Sequence, residues 1–263
     1  MKRSMEKALI QKDIRSITAN KRLFSVLLIV PLVMTILLPS VFICITAFAP
    51  VESSDLQELL TLLPQEMRGT DLKGAVVDLV INNIIPLFFL LIPIMAASVM
   101  AASSFVGEKE KRTLETLLYC PMSLKQIFYG KILAAFLLSM FVSLLSFATM
   151  LLVIEAETFF LMGSLILPSL SWIPLLLLVS PAVALMAITL IVQGSAKAQT
   201  VEESQQRGVF LVLPIILLVA AQFSGLLLIN IWILLALGAL CAGAALCMMN
   251  KSYKRFCYES LLQ

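Results

Sequence analysis

FVGEKEKRTLETLLYCPMS, residues 105–123, interrupts an otherwise apolar chain, and its reading decides how that chain is folded. It holds five consecutive charged residues, Glu108, Lys109, Glu110, Lys111 and Arg112, then Leu114, Leu117 and Leu118, and then Pro121. One charge at the centre of a bilayer costs roughly 3 kcal/mol even on the gentler insertion scale, so five in succession lie outside the hydrocarbon. The apolar runs on either side, 79–105 and 131–154, are each long enough for a helix to cross about 30 Å of lipid.

The same pattern extends over all 263 residues, of which 60% are hydrophobic and 13% charged, with a mean hydropathy of +1.02. A water-soluble domain could not bury that much apolar surface. Strand-like alternation is not visible, which sets a membrane barrel aside. The expected fold is therefore an all-α integral membrane protein with six transmembrane helices, at about 23–49, 79–105, 131–154, 172–194, 209–226 and 230–249. Of the 19 Lys and Arg, only Arg68 and Lys73 fall in the predicted external loop 50–78, which also carries six acids. The basic residues concentrate in 1–22, 106–131, 195–208 and the tail 250–263, so both termini are expected in the cytoplasm of a multi-pass protein of the cell membrane. Residues 1–22 are polar and basic, unlike a signal peptide. The apolar run 209–249 is about twice a bilayer's need, and the basic tail requires an even number of crossings, so it is read as two spans turning near Gly225 and Asn230. For 155–171, with Glu155, Glu157 and Pro168, an external loop and a short re-entrant segment both remain open.

Ile10, Ile14 and Ile17 lie at i, i+4 and i+7, with Lys12 and Arg15 opposite, which predicts an N-terminal amphipathic helix at the membrane interface. Within the central polar segment, Glu108 can pair with Lys111 and Arg112, and Lys111 with Glu115, along one helix. Leu114, Leu117 and Leu118 share a face of it, and Pro121 ends it. Ser123 and Gln126 then form a capping box that starts the helix leading through Gly130 and Lys131 into the third span.

This order of residues resembles the membrane permease subunit of type-2 ABC transporters: Glu108, Glu110, Lys111, Thr113, Leu114, Glu115, Leu117 and Leu118, then Pro121 and Ser123, then Gly130 and Lys131. The basic leader, the large external segment and SAKAQTVEESQQRG (195–208) are similar to the sodium-efflux branch of these permeases. The resemblance implies that Glu108 to Leu118, with Lys109 and Arg112 among them, is a cytoplasmic coupling helix that docks on an ATP-binding subunit. It further implies an ATP-driven exporter formed by two permease subunits, identical or related, with cytoplasmic ABC ATPase subunits as partners. Family members often place short half-membrane helices between the last two spans, and residues 209–249 leave little room for them.

What the chain lacks points the same way. Without a G-x-x-x-x-G-K-[ST] sequence it has no P-loop for ATP, so no cofactor is expected on this chain, and ATP and Mg are expected on the partner ATPase. Histidine is absent, and the five cysteines show no metal-ligand spacing and no expected disulfide framework; neither a catalytic nor a metal constellation is predicted. A nucleic-acid partner is likewise not expected. The span interiors carry no Asp, Glu, Lys or Arg, which disfavours the alternative reading, an ATP-independent channel or secondary transporter. Their polar residues are uncharged: Asn82 and Asn83, the stripe Ser139, Ser143 and Ser146, Gln193, Gln222 and Asn230 are candidates to line a pathway, with helix packing the competing role for the serines. Lys197, Glu202, Glu203 and Arg207 form a second candidate contact with the ATPase or with the coupling segment, the alternative being a solvated connector. The transported substrate is left open.

Overall fold

In hydrocarbon a backbone N–H or C=O finds no water, so an apolar chain must satisfy these groups within its own helices. The computed structural model describes residues 2–48, 72–110, 123–163, 168–195, 198, 200–223 and 231–259, and among them there are helices and no strands. Helix α1 spans Lys2–Ala19 and α2 spans Lys21–Phe48. A broken helical column follows: α3 (Leu72–Leu79), a π-helical stretch Val80–Ile84, α4 (Ile85–Phe89) and α5 (Leu91–Glu110). Next come α6 (Leu124–Met162), α7 (Trp172–Pro174), a second π-helical stretch Leu175–Val179, and α8 (Ser180–Ser195). The short α9 (Val201–Gln206) precedes α10 (Val209–Phe223) and α11 (Ile231–Glu259).

Among the described residues, six helical columns are long and apolar enough to cross a membrane: Leu23–Phe48, Lys73–Glu110, Leu124–Leu161, Trp172–Ser195, Val201–Gln222 and Ile231–Ser252. The protein is all-α, as its composition requires. The apolar run 209–249 is divided between α10 and α11, with 224–230 outside the described residues. Helix α6 continues well past residue 154, so Glu155 and Glu157 belong to a helix that ends at Gly163, whose φ of 67° is the left-handed value a helix-ending glycine tolerates. Residues 164–167 are outside the described residues.

The second column is the axis of the bundle, 78% buried along its most apolar stretch. Its run of small residues explains why. Ala96, Ala97, Ser98, Ala101, Ala102 and Ser104 are buried and let α6 and α8 approach α5 closely. Phe89, Phe147 and Trp172, with ring centroids 5.2–5.9 Å apart, join the second, third and fourth columns in one aromatic cluster.

The prolines act locally. A proline ring clashes with the carbonyl four residues earlier, and both π-helical stretches contain that residue: Asn82 before Pro86 and Leu177 before Pro181. Widening to i→i+5 bonding removes the conflict, with the Ile85 N–H donating to the Val80 carbonyl and the Ser180 N–H to the Leu175 carbonyl.

Candidate functional site

Part of the segment 105–123 lies within the described residues. Glu108, Lys109 and Glu110 form the last turn of α5, and Ser123 caps α6. Lys111, Arg112, Thr113, Leu114, Glu115, Leu117, Leu118 and Pro121 fall outside them. The capping box forms as its sequence predicts: the Gln126 N–H donates to the Ser123 hydroxyl at 3.3 Å, and the Ser123 N–H to the Gln126 side-chain carbonyl at 3.1 Å.

Lys109 and Glu110 are exposed, whereas Glu108 turns inward and is 9% exposed. Its carboxylate meets Lys131 at 2.7 Å and Lys12 at 2.6 Å. Lys131, at the start of the third span, is 3% exposed; its ammonium also donates to the Ser104 carbonyl at 2.5 Å and lies 5.5 Å from the Phe105 ring. Asp13 of α1, 5% exposed, completes the cluster. It accepts from the Ser104 hydroxyl at 2.9 Å and stands 3.9 Å from Lys131. Two carboxylates and two ammonium groups from three separate elements thus balance one another. Burial pushes the Asp13 carboxyl above its ordinary pKa, against the opposing pull of Lys131 and of the Ser104 hydrogen bond.

Two consequences follow from this geometry. The Glu108–Lys131 pair ties together the two ends of the polar segment, so α5 and α6 share one fixed junction. Helix α1 is docked on that junction instead of lying free. Its packed face is Leu9, Asp13 and Ile17, while Ile10 and Ile14 are only half-buried. Of the isoleucine stripe read from the sequence, Ile17 therefore belongs to the docking face and Ile10 and Ile14 form its edge. The reason is chemical: Leu9 lies over Gly130, where an added Cβ would come within 3.0 Å of its Cδ2, and Asp13 reaches Lys131 one residue further on. The sequence contains the signal, an aspartate on the apolar side of an amphipathic helix and a lysine at the head of a span, but nothing in their linear order pairs Asp13 with Lys131.

The second candidate segment adjoins the same junction. Thr200 caps α9 by accepting from the Glu203 N–H at 3.2 Å, and α9 packs on α5 with Val201 beside Gly107. Glu202 and Glu203 are exposed, Arg207 lies across Gly194, and Lys197 is outside the described residues.

The uncharged polar residues within the spans are mostly engaged between helices. Asn82 donates to Asp78 at 2.8 Å and accepts from the Ser169 N–H at 2.7 Å. The carbonyl of Asn83, in the π-helical stretch, accepts from the Gln222 side chain at 2.8 Å, linking the fifth column to the second. Ser139, Ser143 and Ser146 are buried; Ser139 donates to the Phe136 carbonyl at 2.9 Å, and Ser143 lies 3.4 Å from the Ser180 hydroxyl. Gln193 donates to Ser252 at 2.9 Å, joining the fourth and sixth columns. Asn230 is outside the described residues.

Residues 7–231 match the family described as ABC-2 family transporter protein, a match that carries the family and no branch of it. Neither a curated protein nor a solved structure shows significant similarity to the chain.

Proposed function

The chain belongs to the ABC-2 transporter family, and from that premise we propose that it is the permease subunit of an ATP-driven exporter, working as a dimer with separate ATPase subunits. As a permease of an ABC transporter it is a membrane transport component. In the proposed arrangement both termini and the segment 106–131 face the cytoplasm of the cell membrane. Beyond the inward-facing Glu108, the segment Lys109 to Leu118 docks on the ATPase there, with Leu114, Leu117 and Leu118 seated in the partner and Glu110 and Glu115 at the contact rim. Hydrolysis of ATP, with Mg, takes place on that partner.

The observation that best supports coupling is the 2.7 Å Glu108–Lys131 pair. A loop with free ends would absorb a push from the ATPase by flexing. A loop whose ends are tied passes the push to α5 and α6 together, and Lys12 and Asp13 carry α1 with them. Closure of two ATPases is then expected to tilt the second and third spans as one unit.

The test is biochemical. Expressed alone and purified, the chain should hydrolyse no ATP; coexpressed with a cognate ABC ATPase subunit, it should copurify that subunit, and ATP hydrolysis should appear. Hydrolysis by the isolated chain, free of other ATPases, or failure to bind the ATPase would contradict the reading.

A further inference from the structure

Between the first, second and third spans lies a cleft of about 290 Å³, lined by Pro31, Met34, Thr35 and Pro39 of α2, by Phe88 and Met95 among others of the second column, and by Met150 of α6. Its walls are irregular where it opens. The α2 wall contains two prolines within the helix, and the facing wall is broken at Leu90, whose N–H donates to the Leu87 carbonyl at 3.2 Å in a tightened turn. Helices bent at such points separate and leave space between them. The lining offers no charge, and its one polar side chain, Thr35, donates back to the Pro31 carbonyl at 3.0 Å and the Leu32 carbonyl at 2.9 Å. Apart from the ring faces of Phe88 and Phe89, no group in the lining is left to pair with a charged ligand. Met34 and Met95 are exposed at the edge of the cleft, while Phe89 and Met150 are buried behind them.

We propose that this cleft binds an uncharged, lipophilic molecule that enters sideways from the bilayer. Its size is near the lower end of the range for small-molecule sites, roughly 300 Å³, and its lining is apolar as such sites usually are. Three flexible methionine side chains let it fit more than one shape. A charged ligand would lose its hydration for at most a ring face, which does not offset that loss, so charge excludes a candidate even where shape does not. That the bound molecule is the one exported rests on the permease reading; the binding itself does not.

The experiment uses the full chain in phosphatidylcholine nanodiscs and an uncharged trifluoromethyl phenyl diazirine as photoprobe, with adducts mapped by mass spectrometry. Labelling is expected to concentrate at Met34, Thr35, Met95 and Met150, several-fold above the outward-facing Leu144 and Leu152. Unlabelled uncharged probe should compete it away, and the quaternary-ammonium analogue should not. Met95→Trp, at the edge, should lower labelling of Met150 several-fold; Thr35→Leu, which fills the cleft from the opposite wall, should do the same if the first variant fails to fold. Labelling no stronger than at Leu144 and Leu152, or insensitive to competition, reduces the cleft to ordinary lipid-facing surface and overturns the proposal. Labelling seen in monomers and abolished in crosslinked dimers assigns the space to a second copy and overturns it too. No ATPase is present in this assay, so its failure is distinct from a failure of ATP-driven transport.

Discussion

Lys131 holds two buried carboxylates in place with one ammonium group, and its surroundings make it the most consequential charge in the described chain. Removing one member of a buried, paired cluster leaves an uncompensated charge, at a cost of about 3–5 kcal/mol. Lys131→Met should therefore destabilise the folded chain by about that amount. Lys12 makes a contact of similar length, but its side chain is 53% exposed, so solvent screens the pair. Lys12→Ala should cost no more than about 1 kcal/mol. Thermal unfolding in detergent checks both, and equal losses for the two variants would contradict the burial argument. Asp13 adds a pH dependence. Its pKa is raised from 3.8 by burial, so the folded chain holds this proton more tightly than the unfolded one. Its contribution to stability is present below the unfolded pKa and is lost as pH rises through the folded value. Asp13→Asn keeps an acceptor for Ser104 and removes that loss. Measured by Tm, the variant should gain on the natural chain as pH rises from about 4 to 7; a constant difference would show that Asp13 carries its ordinary pKa.

At the scale of the helices, the columns were legible because hydrocarbon thickness sets their length and the runs of 23–48 and 172–195 could satisfy it only as helices. The start of α6 was equally legible, because a capping box is a local device whose partners lie three residues apart. Two features were not. The π-helical stretches depend on how a proline conflict is relieved, and sequence shows the conflict without its resolution. The docking face of α1 depends on Gly130 and Lys131, more than a hundred residues away, and no periodicity within α1 could reveal them. The widened helix has a partner of its own. Gly238 of α11 faces Leu178 in the second π-helical stretch, where an added Cβ would come within 2.7 Å of the leucine Cδ2 and 3.2 Å of Val179 Cγ2. Gly238→Val should overpack this contact and lower stability by about 1–3 kcal/mol, with the sixth span displaced from the fourth. A disulfide-trapping scan along the two helices reads that displacement, and an unchanged pattern with unchanged Tm would contradict the close approach. Gly243 on the same helix has nothing within 4 Å and should accept alanine freely.

Across the whole molecule, polar contacts are divided unequally. One end of the second and third columns carries a charged junction with α1 docked on it, whereas the fifth and sixth columns are only 22% and 17% buried and show apolar side chains such as Leu213, Leu217, Trp232 and Leu240 outward. In the proposed arrangement the charged junction is where force enters, while the sixth column stays packed on the fourth and the outward apolar faces of the fifth and sixth meet lipid or a second subunit. Family membership and the six columns were readable from sequence because motif order and hydropathy are both linear properties. The junction was not, because it joins residues from three distant parts of the chain. The central claim is that the segment between Glu108 and Lys131 passes force from an ATPase to the spans, and the leucines within it test this most directly. In Leu114→Ala/Leu118→Ala, two apolar anchors are removed, each worth roughly 2 kcal/mol if fully buried in the partner. The decisive measurement is pull-down of the ATPase by this double variant in lipid, alongside ATP turnover of the complex. The account predicts a sharp loss of both with the permease still inserted and folded; binding and turnover equal to those of the natural chain would contradict it.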